Sequence, residues 1–202
     1  MFYEPRKSDH GLPFNPMSAC IVPRPIGWIS SISAEGHVNL APYSFFNAFQ
    51  ANPHLVGFAS DGMKDSAAYV AETGEFVCNF VSEDLWQDMN KTSAPLPRGE
   101  SEIAHAGIET ASSRLVAPPR VARAVAALEC RWTETIHLKD ASGRPSDAFL
   151  VCGEVVGIHI DDRFIADGRV DTAAMRPMAR LGYRDYAVVS STVTLARPPG
   201  AE

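Results

Sequence analysis

Phe149-Leu150-Val151-Cys152-Gly153-Glu154-Val155-Val156-Gly157-Ile158-His159-Ile160 is a long β-prone run, rich in valine and isoleucine and broken only by two glycines. Glycine inside a strand marks a bulge or a bend, the devices by which a sheet curls and closes. The run therefore reads as a long barrel strand. Upstream, Leu128, Cys130 and Trp132 alternate with Glu129, Arg131 and Thr133, one face apolar and the other wet, as in an antiparallel strand. Residues 140–143 supply the turn between the two.

Further upstream the same period of two recurs, with Phe76, Cys78 and Phe80 alternating with Val77, Asn79 and Val81. Residues 27–33 and 38–41 make a hairpin around Ala34-Glu35-Gly36-His37, residues 55–59 form an apolar strand, and residues 186–195 the last one. Helices fall between strands. Asp65 is placed to cap one through Thr73, stopped by Gly74. Ser82 caps another, with Glu83 and Asp84 at its start, an apolar face of Leu85, Trp86 and Met89, and Lys91 at its end. Pro95 and Pro97 stop it, residues 101–107 make one more helical piece, and an Ala/Pro/Arg-rich surface connection reaches Ala127.

Because the helices sit in connections and do not alternate with strands, the fold expected is a mainly β, antiparallel Greek-key barrel. The 202 residues read as a single domain, with residues 1–20 an irregular arm and residues 196–202 a C-terminal tail. Pro5, Pro13, Pro16, Pro23 and Pro25 keep the arm out of helix and sheet.

A net charge of -6 gives no reason to seek nucleic acid or an anionic membrane. No apolar run spans a bilayer and no leader-like segment opens the chain, so a cytoplasmic location is expected. Cys20, Cys78, Cys130 and Cys152 lie far apart without a C-x-x-C pair, which argues against a zinc site and for small buried hydrophobes. None of the 14 glycines is one residue from another, so the Rossmann fingerprint is missing, as are the P-loop, the H-E-x-x-H pair and the G-x-S-x-G elbow. A nucleotide has to be held another way.

Two segments offer that way. Ser60-Asp61-Gly62-Met63-Lys64-Asp65-Ser66 leaves a strand and enters a helix, pointing free amides, a lysine and two hydroxyls at one place, the complement of a phosphate monoester. The same residues also make an ordinary capped helix with a solvated lysine. Asn39-Leu40-Ala41-Pro42-Tyr43-Ser44-Phe45-Phe46-Asn47 has a proline that interrupts strand pairing, amid amides, hydroxyls and aromatic rings that suit a fused ring system or, equally, a core.

These segments, with Pro23-Arg24-Pro25-Ile26-Gly27-Trp28-Ile29-Ser30, Gly74-Glu75-Phe76-Val77-Cys78-Asn79 and Arg180-Leu181-Gly182-Tyr183, resemble the flavin reductase-like family, which includes the nitrilotriacetate monooxygenase component B-like flavin reductases. The resemblance runs over residues 17–193. It implies an FMN-binding split barrel that forms a homodimer and takes electrons from NADH or NADPH, with a monooxygenase component as a partner. It implies that Ser44, Phe45, Phe46 and Asn47 line the flavin ring and that Ser60, Lys64, Asp65 and Ser66 surround its phosphate. Ser66 stands where the family often has threonine, and Tyr183 where it often has a second glycine; the tyrosine either narrows the flavin groove or stacks on the ligand, or it packs on the barrel.

Hydride transfer to a flavin asks for stacking and exclusion of water, not for a protein acid or base, so no catalytic residue is assigned. His159 approaches the flavin edge or is a satisfied structural histidine. Three functions follow: an NAD(P)H:FMN oxidoreductase, an FMN-binding electron carrier or redox sensor, and a barrel without a ligand.

Overall fold

The computed structural model of the protein describes residues 1–198. Its strands are β1 (Arg24–Pro25), β2 (Gly27–Ile32), β3 (Val38–Tyr43), β4 (Phe46–Ala51), β5 (His54–Asp61), β6 (Glu75–Asn79), β7 (Thr110–Ala111), β8 (Arg120–Val121), β9 (Ala126–Lys139), β10 (Pro145–Ile160), β11 (Ile165–Ala166), β12 (Arg169–Val170), β13 (Met178–Arg180) and β14 (Tyr186–Val188). Its helices are α1 (Asp65–Thr73), α2 (Trp86–Lys91) and α3 (Glu102–Ala106).

Seven strands form one antiparallel sheet in the order β3-β2-β6-β9-β10-β5-β4. Its two edge strands, β3 and β4, are joined by only Ser44 and Phe45. A link that short brings the opposite edges of the sheet together, so the sheet is rolled into a barrel with its seam at those residues. Non-sequential neighbours, such as β6 between β2 and β9, give the Greek-key character expected. Pro42 does not interrupt β3, which runs on to Tyr43 in register with β2, Pro42 opposite Trp28. β3 is an edge strand, where a missing amide is tolerated, so the break falls two residues later.

Both glycines of the long strand lie at irregularities of the β9–β10 ladder, between Cys152 and Gly153 and between Val155 and Gly157. Gly153 has a packing reason as well. A Cβ there would lie 2.5 Å from the Phe76 ring and 2.8 Å from the Arg131 carbonyl. Inside, Ile29, Val56, Phe58, Phe76, Cys130 and Val151 are buried together with Ala67 and Val70 of α1. A second cluster of Trp28, Leu40, Leu85, Met89 and Met178 anchors α2 and the small β1-β13-β14 sheet.

Several expectations are corrected. The helix expected from Ser82 is a 3₁₀ turn, Glu83–Leu85, followed by α2; Leu85 and Met89 are buried one turn apart, while Trp86, a hundred degrees round from Leu85, is 47% exposed. Ser82 makes no cap bond; its hydroxyl donates to the Asp84 carboxylate. The last strand stops at Val188, since its one neighbour among the described residues, β13, is three residues long and the ladder runs out. The stretch before Ala127 is not all surface: Val116, Val121 and Val125 are buried, and the Glu129 carboxylate accepts from the Arg114 and Leu115 amides at 2.7 and 2.6 Å. Cys78 and Cys130 are buried as expected; Cys20 is exposed. The arm holds a 3₁₀ turn at Met17–Ala19, and Arg24 and Pro25 join the sheet as edge strand β1. Residues 199–202 of the C-terminal tail lie outside the described residues.

Gly153→Ala is expected to cost about 1–3 kcal/mol through overpacking against Phe76. At about 2–4 °C per kcal/mol for a chain of this size, thermal melts are expected to show a Tm lower by roughly 3–10 °C.

Candidate functional site

β5 stays paired with β10 as far as Asp61 opposite Ala148, and Gly62, at φ 80°, turns the chain while its amide donates to Asp147 O at 2.7 Å. That left-handed conformation suits glycine. α1 then starts at Asp65 with Lys64 in the N-cap position, and no side chain caps it. Its first intrahelical bond runs from Ala68 N to Lys64 O at 2.9 Å, so the amides of Asp65, Ser66 and Ala67 lie ahead of the helix's own ladder. The positive end of the helix dipole is therefore open. Asp65, expected as the cap, is the first helical residue, and its carboxylate pairs with Arg98 at 3.4 Å. Lys64 is exposed and is in no ion pair among the described residues.

Behind the helix start lies a small polar network. Ser66 Oγ donates to the side-chain carbonyl of Asn39 at 2.7 Å, and the Asn39 amide nitrogen donates to Glu102 Oε1 at 3.3 Å. Leu40 N donates to the other carboxyl oxygen, Glu102 Oε2, at 3.2 Å. Tyr43 sets its hydroxyl against Ser66 and Ser60; burial raises its pKa, and those two hydroxyls only partly offset it. Burial also pushes the Glu102 carboxyl above its ordinary value, against the pull of the Glu102 and Leu40 amides. Together Asn39, Pro42, Tyr43, Lys64, Ser66 and Arg98 line a groove of about 520 Å³, closed on one side by the 92–96 segment.

The structure brings Lys64, Asp65 and Ser66 into this groove. Ser60 is fully buried behind it, with its hydroxyl donating to Gly62 O at 2.7 Å. Ser44 and Phe45 lie at the seam, Ser44 half-buried and Phe45 54% exposed. Phe46 turns the other way: it packs on the core, its ring so close to Gly27 that a Cβ there would lie 2.7 Å from it, and it lines a separate apolar cavity of about 390 Å³ with Pro25, Cys78, Leu128 and Met178. Asn47 is exposed, its side-chain oxygen taken by the next amide, Ala48 N, at 2.9 Å. Tyr183 does not line the groove. It sits in the β13–β14 turn at φ 57°, its ring edge-on to Phe14 at 5.9 Å. A left-handed residue is where glycine is cheapest, so the tyrosine stands there at some backbone cost.

His159 is a satisfied histidine: its Nε2 meets the Glu129 carboxylate, which is fully buried. Two groove residues escaped sequence reasoning. Arg98 comes from a proline-punctuated connection and Glu102 from the start of α3, local patterns that carry no ligand signal, and only the fold brings them to the start of α1.

A rolled antiparallel sheet, split at a two-residue seam and carrying a polar groove at an uncapped helix start, defines the split-barrel class. The chain belongs to the family of the flavin reductase like domain, which its residues 17–175 match. An uncharacterized protein of Halalkalibacterium halodurans is 38% identical over 198 residues, covering 96% of this chain and 92% of that one. Another from Deinococcus radiodurans is 38% identical over 194 residues, covering 90% and 82%. Among solved structures, nitrilotriacetate monooxygenase component B from Bacillus cereus superposes with a TM-score of 0.87 at 30% identity, covering 96% of this chain and 98% of that one. The 2-nitrobenzoate 2-nitroreductase NbaA of Pseudomonas fluorescens gives 0.85 at 25% identity, covering 100% and 98%.

A carboxyl raised by burial is harder to ionise in the folded chain, so the stability it confers is full below its unfolded pKa and is lost as pH rises through the folded value. Glu102→Gln, neutral at every pH, is thus expected to melt above the parent protein at about pH 8 and to lose that advantage near pH 4. Thermal melts at the two pH values check it.

Proposed function

We propose that this protein is an NAD(P)H-dependent flavin reductase that binds FMN with its phosphate at the start of α1 and its ring along the seam. The observation that carries this reading is the uncapped first turn of α1 with Lys64 beside it. Three amides, a free ammonium group and the open helix dipole are the donor set of a phosphate dianion, and the protein supplies no carboxylate of its own to cap them. Asp65 pairs with Arg98, and Lys64 is exposed without an ion pair among the described residues, so its charge is free at the mouth of the groove. The residues present fit the group.

Bound FMN would supply the two-electron chemistry, taking a hydride from a dihydronicotinamide and handing the electrons on. The chain's own part is to hold and to orient. Lys64 and the amides of Asp65, Ser66 and Ala67 fix the phosphate, while the Ser66 hydroxyl stays bonded to Asn39 behind them. Ser44, Phe45 and Asn47 at the seam offer polar and aromatic contacts to the ring, with Phe46 supporting them from the core, and Ser60 braces the Gly62 turn that leads into the phosphate site.

The named relatives support a reductase: one is a monooxygenase component B, which agrees with a monooxygenase as acceptor, and one is a nitroreductase. A homodimer is favoured by exposed apolar side chains on β4, β9 and β10, where Phe49, Trp132, Ile136 and Ile158 are 39% to 54% exposed. The unpaired cysteines suit the cytoplasm, and no helix among the described residues is long and apolar enough to cross a membrane.

Lys64→Ala is expected to weaken FMN binding by about 1.5–3 kcal/mol, the worth of a charge-assisted hydrogen bond, in a fluorescence-quenching titration. Stopped-flow mixing of the FMN-loaded protein with NADH and with NADPH is expected to bleach the flavin with at least one of them. Bound flavin that neither donor bleaches would identify an electron carrier instead.

A further inference from the structure

Arg24 and Arg180 are register partners across β1 and β13. Side chains of directly opposed residues share a face, and like charges so placed destabilise the pair. Arg24 is only 7% exposed. Its Nη1 donates to the carbonyls of Ser18 and Ile21 at 2.6 and 2.5 Å, and its Nη2 to that of Leu181 at 2.8 Å. Its Nε is buried without any acceptor. Arg180, half-buried, donates to the Tyr186 hydroxyl and the Tyr183 carbonyl. Among the described residues neither guanidinium is in an ion pair.

Carbonyl dipoles satisfy N–H directions, but they bring no countercharge. A buried cation without one is expensive, and a bound anion would supply it. What stands beside it names the ligand's shape. The Arg24 guanidinium lies 5.6 Å from the centre of the Phe45 ring, and that ring is more than half exposed at the seam. An aromatic face with a cation behind it suits a planar anion better than a phosphate, whose donors are gathered at α1.

The geometry points to Arg24, backed by Arg180, as the positioning residue that stabilises the negative charge of the reduced flavin ring. This rests on the proposed FMN reading. In the half-reaction a hydride leaves the dihydronicotinamide, which departs as the nicotinamide cation, and the flavin gains two electrons and one proton. The flavin therefore gains one negative charge. Arg24 sits where that charge is answered by the protein, so reduced FMN is held more tightly than oxidised FMN.

The test compares the parent protein with Arg24→Met and Arg24→Lys, each loaded with FMN. Affinity for oxidised FMN is read by fluorescence quenching and the midpoint potential by titration against a reference dye. Arg24→Met is expected to keep oxidised affinity within about threefold while the preference for reduced flavin drops about tenfold, or about 30 mV for a two-electron couple. Arg24→Lys is expected to retain most of the preference. Because Arg24 also ties the arm to the β13–β14 turn, the parent protein supplies an independent readout. Its midpoint is expected to fall by about 30 mV per pH unit even on the acid side of free reduced flavin's own ionisation, as one proton per two electrons requires, and not by about 59 mV. Equal losses for oxidised and reduced FMN in Arg24→Met, or the steeper slope in the parent, overturn the assignment of Arg24 alone. Failure of the parent to bind FMN overturns the flavin reading itself.

Discussion

The pairing of β5 with β10 is the constraint on which the molecule's recognition chemistry hangs. It runs from Leu55 opposite Glu154 to Asp61 opposite Ala148 and closes with the Gly62 amide on Asp147 O. Once that ladder is fixed, the chain has a single turn in which to reverse into α1, and Ala67 and Val70 must still reach the barrel core. The helix thus begins at a set place with its amides turned to the groove. Helix packing inside and free amides outside are two consequences of one geometry.

Barrel closure does the rest. Seven strands whose edges are joined by Ser44 and Phe45 leave one seam, and β3 carries Asn39 and Tyr43 along it to Ser66. The hydroxyl and amide network there is almost fully paired internally, which makes it a wall that holds its shape, while Lys64 remains outside and available. The separation of roles is physical: buried polar groups need partners of their own, and exposed charged ones are left for a ligand.

Much of this was legible in the chain. Gly153 and Gly157 announced the bulges of β10 because a glycine in a strand has few other uses, and the β2–β3 hairpin and α1 followed from local alternation and Gly74. What local patterns missed came from tertiary context. Pro42 looked like a break because its edge position could not be read from its neighbours. The helix expected after Ser82 opens as a 3₁₀ turn, and of its expected apolar face only Leu85 and Met89 are buried, Trp86 lying half-exposed. Of the residues expected around a ligand, Lys64, Asp65 and Ser66 were drawn from one strand-to-helix junction and stay together, whereas Phe46 and Asn47, on successive positions of a strand, face opposite ways as strand geometry demands. Arg98 and Glu102 had no signal to give until the fold placed them.

The central claim is that the start of α1 grips a phosphate. Parallel titrations with FMN and with riboflavin, which shares the ring and lacks the phosphate, test it most directly. More than tenfold tighter binding of FMN, over about 1.4 kcal/mol, is the result expected from amides and an ammonium group on a dianion. Equal affinity for the two would contradict it.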